Sequence, residues 1–342
     1  MTVAWRAPGE LQLVDPAAPG RSVVLCGVGL PAQQLLTLLD GGNTLASVVA
    51  EAGRQGMSES DALEVIRELT TAGFVTDHHT HEPSRPAIGL EGSEASRWLP
   101  EMSALTAQGR PGAQTLAVRA ETAVAVYGVR SVGPLAAAIL AAAGVGRVVL
   151  SGSGRVRASD CLPGGLTPDE VGTPRTAAAR AAVHRSAPGA SVQRVPGRGG
   201  VRCAVFADGI PSHHPSLRTV REAGVPHLSC RASGATGQVG PFVVPGQGPC
   251  LDCLRRHRTD LDPAWPLLEA QAALADREPA GSATSLAIAV AALAAGQVLA
   301  LVDGGTPDTV GAVWELREGS VRTRRQLWSR HPDCPCAATA AR

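Results

Sequence analysis

The sequence contains no lysine and few aromatic residues. All 31 of its basic side chains are arginines, and Phe, Trp and Tyr make up only 3% of its 342 residues. Without lysine the chain can form no Schiff base and has no Walker-A lysine to reach a nucleotide phosphate. Its 31 basic residues face 30 acidic ones, so the charge balance gives no general reason to expect a nucleic acid or an anionic membrane as partner.

Long apolar runs are also scarce. The first residues show no basic segment followed by an apolar run, which predicts no secretory signal and a cytoplasmic location. The most apolar stretch, 286–302, is mostly alanine, and its length of about 17 residues falls short of the ~20 that span a bilayer, so we expect a buried helix. The eight cysteines of a cytoplasmic protein stay reduced, and clustered ones then indicate metal ligands.

Three compositional blocks divide the chain, whose length predicts about two domains at ~100–200 residues each. Residues 1–77 carry periodic apolar segments, and residues 78–95 carry histidines and prolines without periodicity, as a linker does. Residues 96–342 alternate short apolar runs with Ala-rich helical stretches. This order predicts an α/β protein in which a small N-terminal domain precedes a larger one with a parallel sheet and crossover helices.

The first block has the outline of a winged-helix domain. Strand-like segments are followed by three helical patterns, which begin at Leu30, after Thr44 and at Ser58, and Phe74-Val75 reads as a short closing strand. The strand-like segments are Val3–Ala7, Leu11–Val14 and Ser22–Cys26.

DNA binding is the usual function of that outline, but the charge of the third helix opposes it. A recognition helix needs basic or amide side chains for bases and phosphates. The third helix instead carries four acidic residues against the single cation Arg67. The acidic residues are Glu59, Asp61, Glu64 and Glu68.

The motifs "LLDGGNTL" and "AGFV" place the first block in a different context. The run that contains them resembles the PqqD-like recognition domain of enzymes that modify ribosomally made peptides. The resemblance implies that a precursor's leader adds as a strand beside the third strand and lies against the third helix, where a sheet edge supplies hydrogen bonds and an apolar groove reads side chains. Since alternate strand positions must point inwards, about half of the apolar candidates are expected to be core instead. The expected peptide-binding residues are Val23, Val24, Leu25, Cys26, Leu63, Ile66 and Arg67.

Residues 122–151 read as strand, glycine-bearing turn, Ala-rich helix and second strand, which is a Rossmann-type βαβ unit. A further strand at Val201–Phe206 is followed at once by Asp208. From about residue 120 onward, this order resembles the ThiF-like adenylyltransferases of the ubiquitin-activating superfamily. The family's thioester-forming cysteine has no counterpart between Cys253 and Ala283, and we expect Cys161, Cys203 and Cys230 to be buried small hydrophobes.

The residues that would bind ATP in that family are mostly replaced. The Gly-x-Gly-Gly-x-Gly turn keeps Gly128 and Gly133 but has Arg130 and Ser131 in place of the middle glycines, whose side chains should crowd a pyrophosphate. Asp208 is retained, although a cap or turn residue is an equally good reading of it. The remaining replacements are Ser151 and Ser153 for the acidic residues, Asp160 for the asparagine and Arg175 for the phosphate-reaching lysine. The resemblance therefore implies a degenerate nucleotide site, and we expect neither ATP binding nor catalytic residues.

Two cysteine pairs near the C-terminus predict a structural zinc site. Cys250-Leu251-Asp252-Cys253 is a C-x-x-C loop, and Cys334-Pro335-Cys336 supplies a second pair. Four thiolates complete a tetrahedral Cys₄ site with no open position for water. The "RHPDCPC" tail resembles the ending of ThiF-like proteins in azoline-forming peptide pathways.

The joint resemblance is to leader-peptide-binding partner proteins of azole- and azoline-forming pathways, such as those of thiazole/oxazole-modified microcins and thiopeptides. We expect a non-catalytic scaffold that binds the leader of a precursor peptide and docks a separate YcaO-type cyclodehydratase, with homodimerisation by analogy. An active ATP-dependent adenylyltransferase that acts on a peptide or carrier-protein C-terminus is the alternative. The third hypothesis is a winged-helix transcription factor.

Overall fold

The structure is a computed structural model of the chain, and the contacts divide it into two compact units, Met1–Ala113 and Gln114–Arg342. The predicted linker, 78–95, lies outside the described residues. The described residues are 2–14, 22–39, 43–75, 97–98, 100–102, 104–105, 108, 110–194, 200–208, 215–275, 281–320 and 322–336, and the side chains of 272–275 are not among them.

The first unit contains a three-stranded antiparallel sheet followed by three helices. The strands are ordered β1-β2-β3, and the side chains of Thr44 and Ser58 accept hydrogen bonds from backbone amides in the first turns of the second and third helices, as N-caps do. The strands are β1 (Thr2–Ala7), β2 (Glu10–Val14) and β3 (Ser22–Cys26), and the helices are α1 (Leu30–Leu38), α2 (Leu45–Arg54) and α3 (Glu59–Thr71). The three strands and three helices that the sequence predicts are therefore all present.

The predicted closing strand at Phe74-Val75 is wrong. The amides of both residues donate to the Leu69 carbonyl, at 2.8 and 3.3 Å, and Gly73 has a φ of 73°. These contacts close the C-terminal end of α3 in the way that a left-handed glycine usually does. The two amides therefore end the helix instead of pairing with a strand.

The second unit is built on a mixed eight-stranded sheet of order β11-β10-β9-β8-β7-β4-β5-β6. The pairs among β6, β5, β4, β7 and β8 are parallel, and those from β8 to β11 are antiparallel. The strands are β4 (Ala123–Tyr127), β5 (Arg147–Ser151), β6 (Ser191–Gln193), β7 (Cys203–Phe206), β8 (His227–Ser233), β9 (Thr236–Val243), β10 (Ala312–Arg317) and β11 (Arg324–Leu327). The α/β prediction is confirmed, and the antiparallel half is the part that it lacked.

Helices are interspersed with these strands along the chain. They are α4 (Gly112–Glu121), α5 (Val132–Ala142), α6 (Arg175–Ser186), α7 (Pro215–Glu222), α8 (Leu251–Leu261), α9 (Trp265–Ala275) and α10 (Thr284–Val302). Among the described residues only α10 is long and apolar enough to cross a membrane, and it packs against α5, β8 and β9. It is therefore the core helix that the sequence predicts.

The strand order places a switch point beside β4. From β4 the chain passes to β5 and β6 on one side and then returns to β7 on the other. In open α/β sheets, ligands bind at the carboxyl ends of strands where the order reverses in this way. The turn after β4 and the two residues after β7, Ala207 and Asp208, therefore lie at the position of a Rossmann-type ligand site.

Candidate functional site

The turn after β4 is shaped by its two retained glycines. Gly128 has a φ of 98°, and a Cβ there would overlap the Ala207 carbonyl oxygen. A Cβ on Gly133 would overlap the Gly128 carbonyl oxygen. Both glycines are thus required by close backbone packing between this turn, helix α5 and the end of β7, whether or not a phosphate ever binds.

Asp208 fills the centre of this turn with its own carboxylate. The amide of Arg130 donates to Oδ2 at 3.0 Å, and the amide of Val132 donates to Oδ1 at 3.2 Å. The Ser131 amide also donates to this carboxylate. Amides at the start of a helix are the donors that a Rossmann-type site offers to a phosphate. Here an acidic side chain of the same chain accepts them.

Asp208 is also unusual in its backbone conformation and in its pKa. Its φ of 64° makes it the one non-glycine residue with positive φ in the described part of the chain, and aspartate is among the residues that tolerate this conformation. Burial raises the pKa of Asp208, although hydrogen bonds from the turn amides and the charge of Arg130 oppose that rise. The carboxylate is held by backbone geometry as well as by charge.

The arginines of the predicted degenerate site are held by a second aspartate. Nε and Nη2 of Arg175 both lie 2.8 Å from Oδ2 of Asp160, which is 2% exposed. The Arg157 amide donates to the same oxygen at 3.0 Å, and Arg130 Nε lies 3.8 Å from Oδ1. The cation at the lysine position is thus bound within the chain and is not directed at an open site.

The two predicted serines lie at the end of β5 and in the loop after it. Ser151 ends β5, and its carbonyl accepts the Gly128 amide at 2.9 Å, while Ser153 is exposed in the loop that follows. Cys203 and Cys230 are buried as predicted. Cys161 is only half-buried, because it follows a short 3-10 helix at the edge of the unit and its thiol reaches the Arg157 carbonyl.

The four cysteines of the predicted zinc site meet at the start of α8. The Sγ atoms of Cys250 and Cys253 lie 3.8 Å apart, those of Cys250 and Cys334 lie 3.6 Å apart, and those of Cys253 and Cys336 lie 3.2 Å apart. A tetrahedral zinc with ~2.3 Å Zn–S bonds sets its sulfurs about 3.8 Å from one another. Four soft thiolates in this arrangement could hold a zinc ion and would leave it no open position.

Hydrogen bonds lower the pKa of one of these thiols, and the thiolate is the form that binds metal. Burial raises the pKa of the Cys253 thiol, but hydrogen bonds from the His331 amide and the neighbouring cysteines outweigh it and bring that pKa to about 7. Arg221 forms an ion pair with Asp252 beside the cluster. Its pKa is raised because Asp252 and the charges of Cys250 and Cys334 outweigh its burial. A cation in this position stabilises the negative charge of the four thiolates.

A second group of potential metal ligands, His257, Asp260 and His331, lies on the same side of α8. Nε2 of His331 lies 2.8 Å from Oδ2 of Asp260, and its Nδ1 accepts the Asp333 amide. Nε2 of His257 lies 3.1 Å from the Ser329 carbonyl. Both nitrogens of His331 are thus used in hydrogen bonds, so this group joins the C-terminal tail to α8. The sequence signal for it is the histidine three positions before Cys334.

The predicted peptide-binding residues of β3 divide by face. Within the described part of the chain, β3 pairs with β2 along one edge and with no strand along the other. Leu25 is 1% exposed and Val23 packs against the same core cluster, whereas Val24 and Cys26 point to the opposite face. The side chain of Leu25 therefore belongs to the core, and only its backbone is available at this edge.

The predicted residues of α3 are mostly at the surface. Leu63 is 40% exposed, while Ile66 is half-buried against the core of the unit. Arg67 is exposed, and its guanidinium donates to Glu64 on the same helix at 3.2 Å. An ion pair this exposed contributes little to stability.

Comparison with solved structures extends the likeness to the whole chain. A structure of E. coli MccB with MccA-N7isoASN matches with a TM-score of 0.65 and 14% identity. The match covers 100% of this chain and 97% of the MccB chain. E. coli MccB with ATP has a TM-score of 0.63 and 15% identity, and covers 98% of this chain and 97% of its own. A structure of PaaA has a TM-score of 0.66 and 16% identity, and covers 96% of this chain and 98% of its own. At these identities the likeness is one of fold.

Among curated proteins, no sequence matches the chain. The model of the ThiF family matches residues 106–336. This range contains the Asp208 turn, the Asp160 cluster and all four cysteines of the candidate metal site. The chain therefore belongs to the ThiF family.

Proposed function

We propose that this protein is a non-catalytic scaffold that binds the leader of a ribosomally made precursor peptide and delivers it to a separate YcaO-type cyclodehydratase for azoline or azole formation. The single observation that carries the proposal is the Asp208 carboxylate on the turn amides. A nucleotide phosphate would have to displace this carboxylate, and Arg175 would have to leave the buried Asp160. Both displacements would cost electrostatic free energy, and phosphate binding at an intact nucleotide site does not require this cost.

The relatives support a role in peptide modification. MccB is described as a microcin C7 biosynthetic enzyme and has been solved in complex with N-formylated MccA. The fold match extends over the first unit as well as the second. In our proposal the first unit is a winged-helix-like clamp, and the leader adds as a strand at the free edge of β3, where backbone groups can pair with a peptide.

The proposal assigns zinc a structural role in the second unit. The Cys₄ group would join the C-terminal tail to α8, and structural zinc sites in peptides contribute roughly 10–16 kcal/mol of apparent binding free energy. We place the protein in the cytoplasm, where its thiols stay reduced. The proposal requires no nucleic acid and no membrane.

A titration of labelled leader tests the clamp. Proline is placed in turn at Val23 and Val24, because neighbouring amides alternate between β2 and the free edge and proline removes one of them. The variant that loses the outward amide should bind leader more weakly while the zinc content stays unchanged. Val24→Thr, which keeps the amide, is the control. Wild-type affinity in both folded proline variants would contradict binding at β3.

The third helix is tested in the same assay. Arg67→Glu should weaken the binding of an acidic leader by about 1 kcal/mol or less, which is at most about fivefold, because the side chain is exposed. Arg54→Glu makes the same charge change on the exposed face of α2 and serves as the control. Equal effects of the two substitutions would show that only the net charge matters.

An active adenylyltransferase is the second candidate function, because the ThiF fold and its switch point are present and the matched MccB has been solved with ATP. Calorimetry with Mg·ATP and pyrophosphate exchange separate the two candidates. The scaffold proposal expects no heat and no exchange from the wild-type protein. Clear binding with exchange in the presence of a peptide would overturn it.

A further inference from the structure

Arg258 of α8 lies between two tryptophans. Its Cζ is 5.1 Å from the ring centre of Trp265, at the start of α9, and 5.7 Å from that of Trp328, just after β11. The indole Nε1 atoms of both tryptophans are buried and have no hydrogen-bond partner among the described residues. Within the same residues, the Arg258 guanidinium forms no ion pair or hydrogen bond. The guanidinium and the two indole N–H groups therefore have no acceptor among the described residues.

The charges around this cluster favour an anion. Helix α8 contains three arginines, and its two aspartates, Asp252 and Asp260, are bound to Arg221 and His331 respectively. In the described part of the chain none of the three arginines has an ion pair, and Nε of the second is buried without a partner. The three arginines are Arg255, Arg256 and Arg258. The helix therefore has an excess of positive charge that its own fold does not neutralise.

Charged residues on neighbouring elements also act on Arg258. Burial lowers the pKa of Arg258, and the charge of Arg231 on β8 lowers it further. Glu269 and Glu315 act in the opposite direction, but neither lies within ion-pair distance of Arg258. Two cations that repel each other next to unpaired indole donors are arranged for an acceptor that carries negative charge.

The surface beside the cluster is apolar. Leu261 at the end of α8 is 82% exposed, and Leu267 and Leu268 on α9 are 61% and 46% exposed. Exposed leucines grouped together mark interaction surfaces, and tryptophan and arginine are the residues most enriched among the energetically dominant contacts of protein interfaces. A small acidic metabolite would use the charge of this surface and leave its leucines in water.

We propose that Arg258, with Trp265 and Trp328 on either side of it, forms a docking site for an acidic, apolar segment of a partner polypeptide, which places a glutamate or aspartate carboxylate on the guanidinium. The leucines of α8 and α9 cover the apolar side chains of that segment, and Arg255 and Arg256 extend the positive field around it. The site goes beyond the proposed function, which assigns no surface to the partner. It also does not depend on leader binding by the first unit.

The experiment uses the full chain and a short acetylated, amidated peptide that alternates glutamate with leucine. We expect the indole N–H signals of Trp265 and Trp328, assigned with Trp→Phe variants, to shift in ¹H–¹⁵N spectra as the peptide is added. Arg258→Gln should weaken binding about tenfold, as loss of a charge-assisted hydrogen bond does. Arg218→Gln removes the same charge from an exposed position on α7 and should leave the affinity unchanged.

Three results would overturn the proposal. The first is equal binding of a control peptide with glutamine in place of glutamate, and the second is an unchanged affinity of Arg258→Gln. The third is a wild-type dimer in light scattering that Arg258→Gln dissociates, since a second copy would then cover the surface. If the acidic peptide does not bind but the leader binds normally, the scaffold proposal stands. If the leader does not bind but the indole signals shift as expected, only the scaffold proposal is contradicted.

Discussion

Replacing Asp208 tests the reasoning about the nucleotide turn most directly. Asp208→Gly removes the carboxylate and relieves the φ of 64°, so its effect isolates the hydrogen bonds to the turn amides. Two of these bonds are 3.0 and 3.2 Å long. Hydrogen bonds to a charged group contribute about 1.5–3 kcal/mol each, and the loss of a helix-capping side chain costs ~1 kcal/mol. Because water reaches part of this turn, we expect Asp208→Gly to lower the free energy of unfolding by about 2 kcal/mol.

The other two substitutions at this position separate strain from charge. Asp208→Ala adds the cost of a left-handed backbone, roughly 1–2 kcal/mol, so it should be less stable than Asp208→Gly. Asp208→Asn keeps one acceptor oxygen and tolerates the backbone, so it should be the mildest of the three. Urea denaturation gives the ranking. A Gly variant as stable as wild type would refute the hydrogen-bonding argument.

Binding of inorganic phosphate is the second measurement. If the Asp208 carboxylate takes the place of an anion, its removal exposes amide donors at a helix start, which bind phosphate. Phosphate should then raise the Tm of Asp208→Gly more than that of wild type. Equal stabilisation of the two proteins would show that the carboxylate does not occupy the anion site.

The stability of wild type should also depend on pH through this group. Burial raises the folded-state pKa of Asp208 above its usual 3.8, so the folded state binds more protons than the unfolded state between the two pKa values. The free energy of unfolding of wild type relative to Asp208→Asn should therefore fall as the pH rises above about 4 through the folded-state pKa. A difference that rises over this window would show that the amide bonds outweigh burial.

Further predictions concern the metal site, the core and the pathway. Cys250→Ser with Cys253→Ser should abolish zinc binding and lower the Tm, because two thiolates hold zinc poorly; a wild-type protein without zinc in elemental analysis would contradict the site. Arg119→Met should cost about 3–5 kcal/mol in urea denaturation, since it leaves the Asp303 carboxylate, 6% exposed, without its buried cation, and Asp303→Asn added to it should recover part of that loss. If the scaffold proposal is right, folded Asp208→Asn should support wild-type rates of heterocyclisation by a partner cyclodehydratase; loss of activity in a folded variant would favour the adenylyltransferase.

The local elements of this protein follow from short-range sequence patterns. Thr44 and Ser58 cap helices where the capping pattern predicts them, and the glycine-bearing turn connects β4 to α5 as a Rossmann-type unit requires. Each of these features depends on neighbours within a few residues, which is the range over which periodicity and capping act. The two cysteine pairs also predicted a four-thiol cluster, and their Sγ atoms lie within 4.8 Å of one another.

The contacts between those elements depend on partners that lie far apart in the sequence. Asp208 accepts hydrogen bonds from amides 76 and 78 positions away, and Arg175, for which the sequence resemblance predicts a place in a degenerate phosphate site, is paired with Asp160. The cluster at Arg258 joins a helix to residue 328, beyond the last strand. Such partners follow from strand order and packing across the sheet, and local sequence patterns carry no information about which distant side chain will reach a given donor.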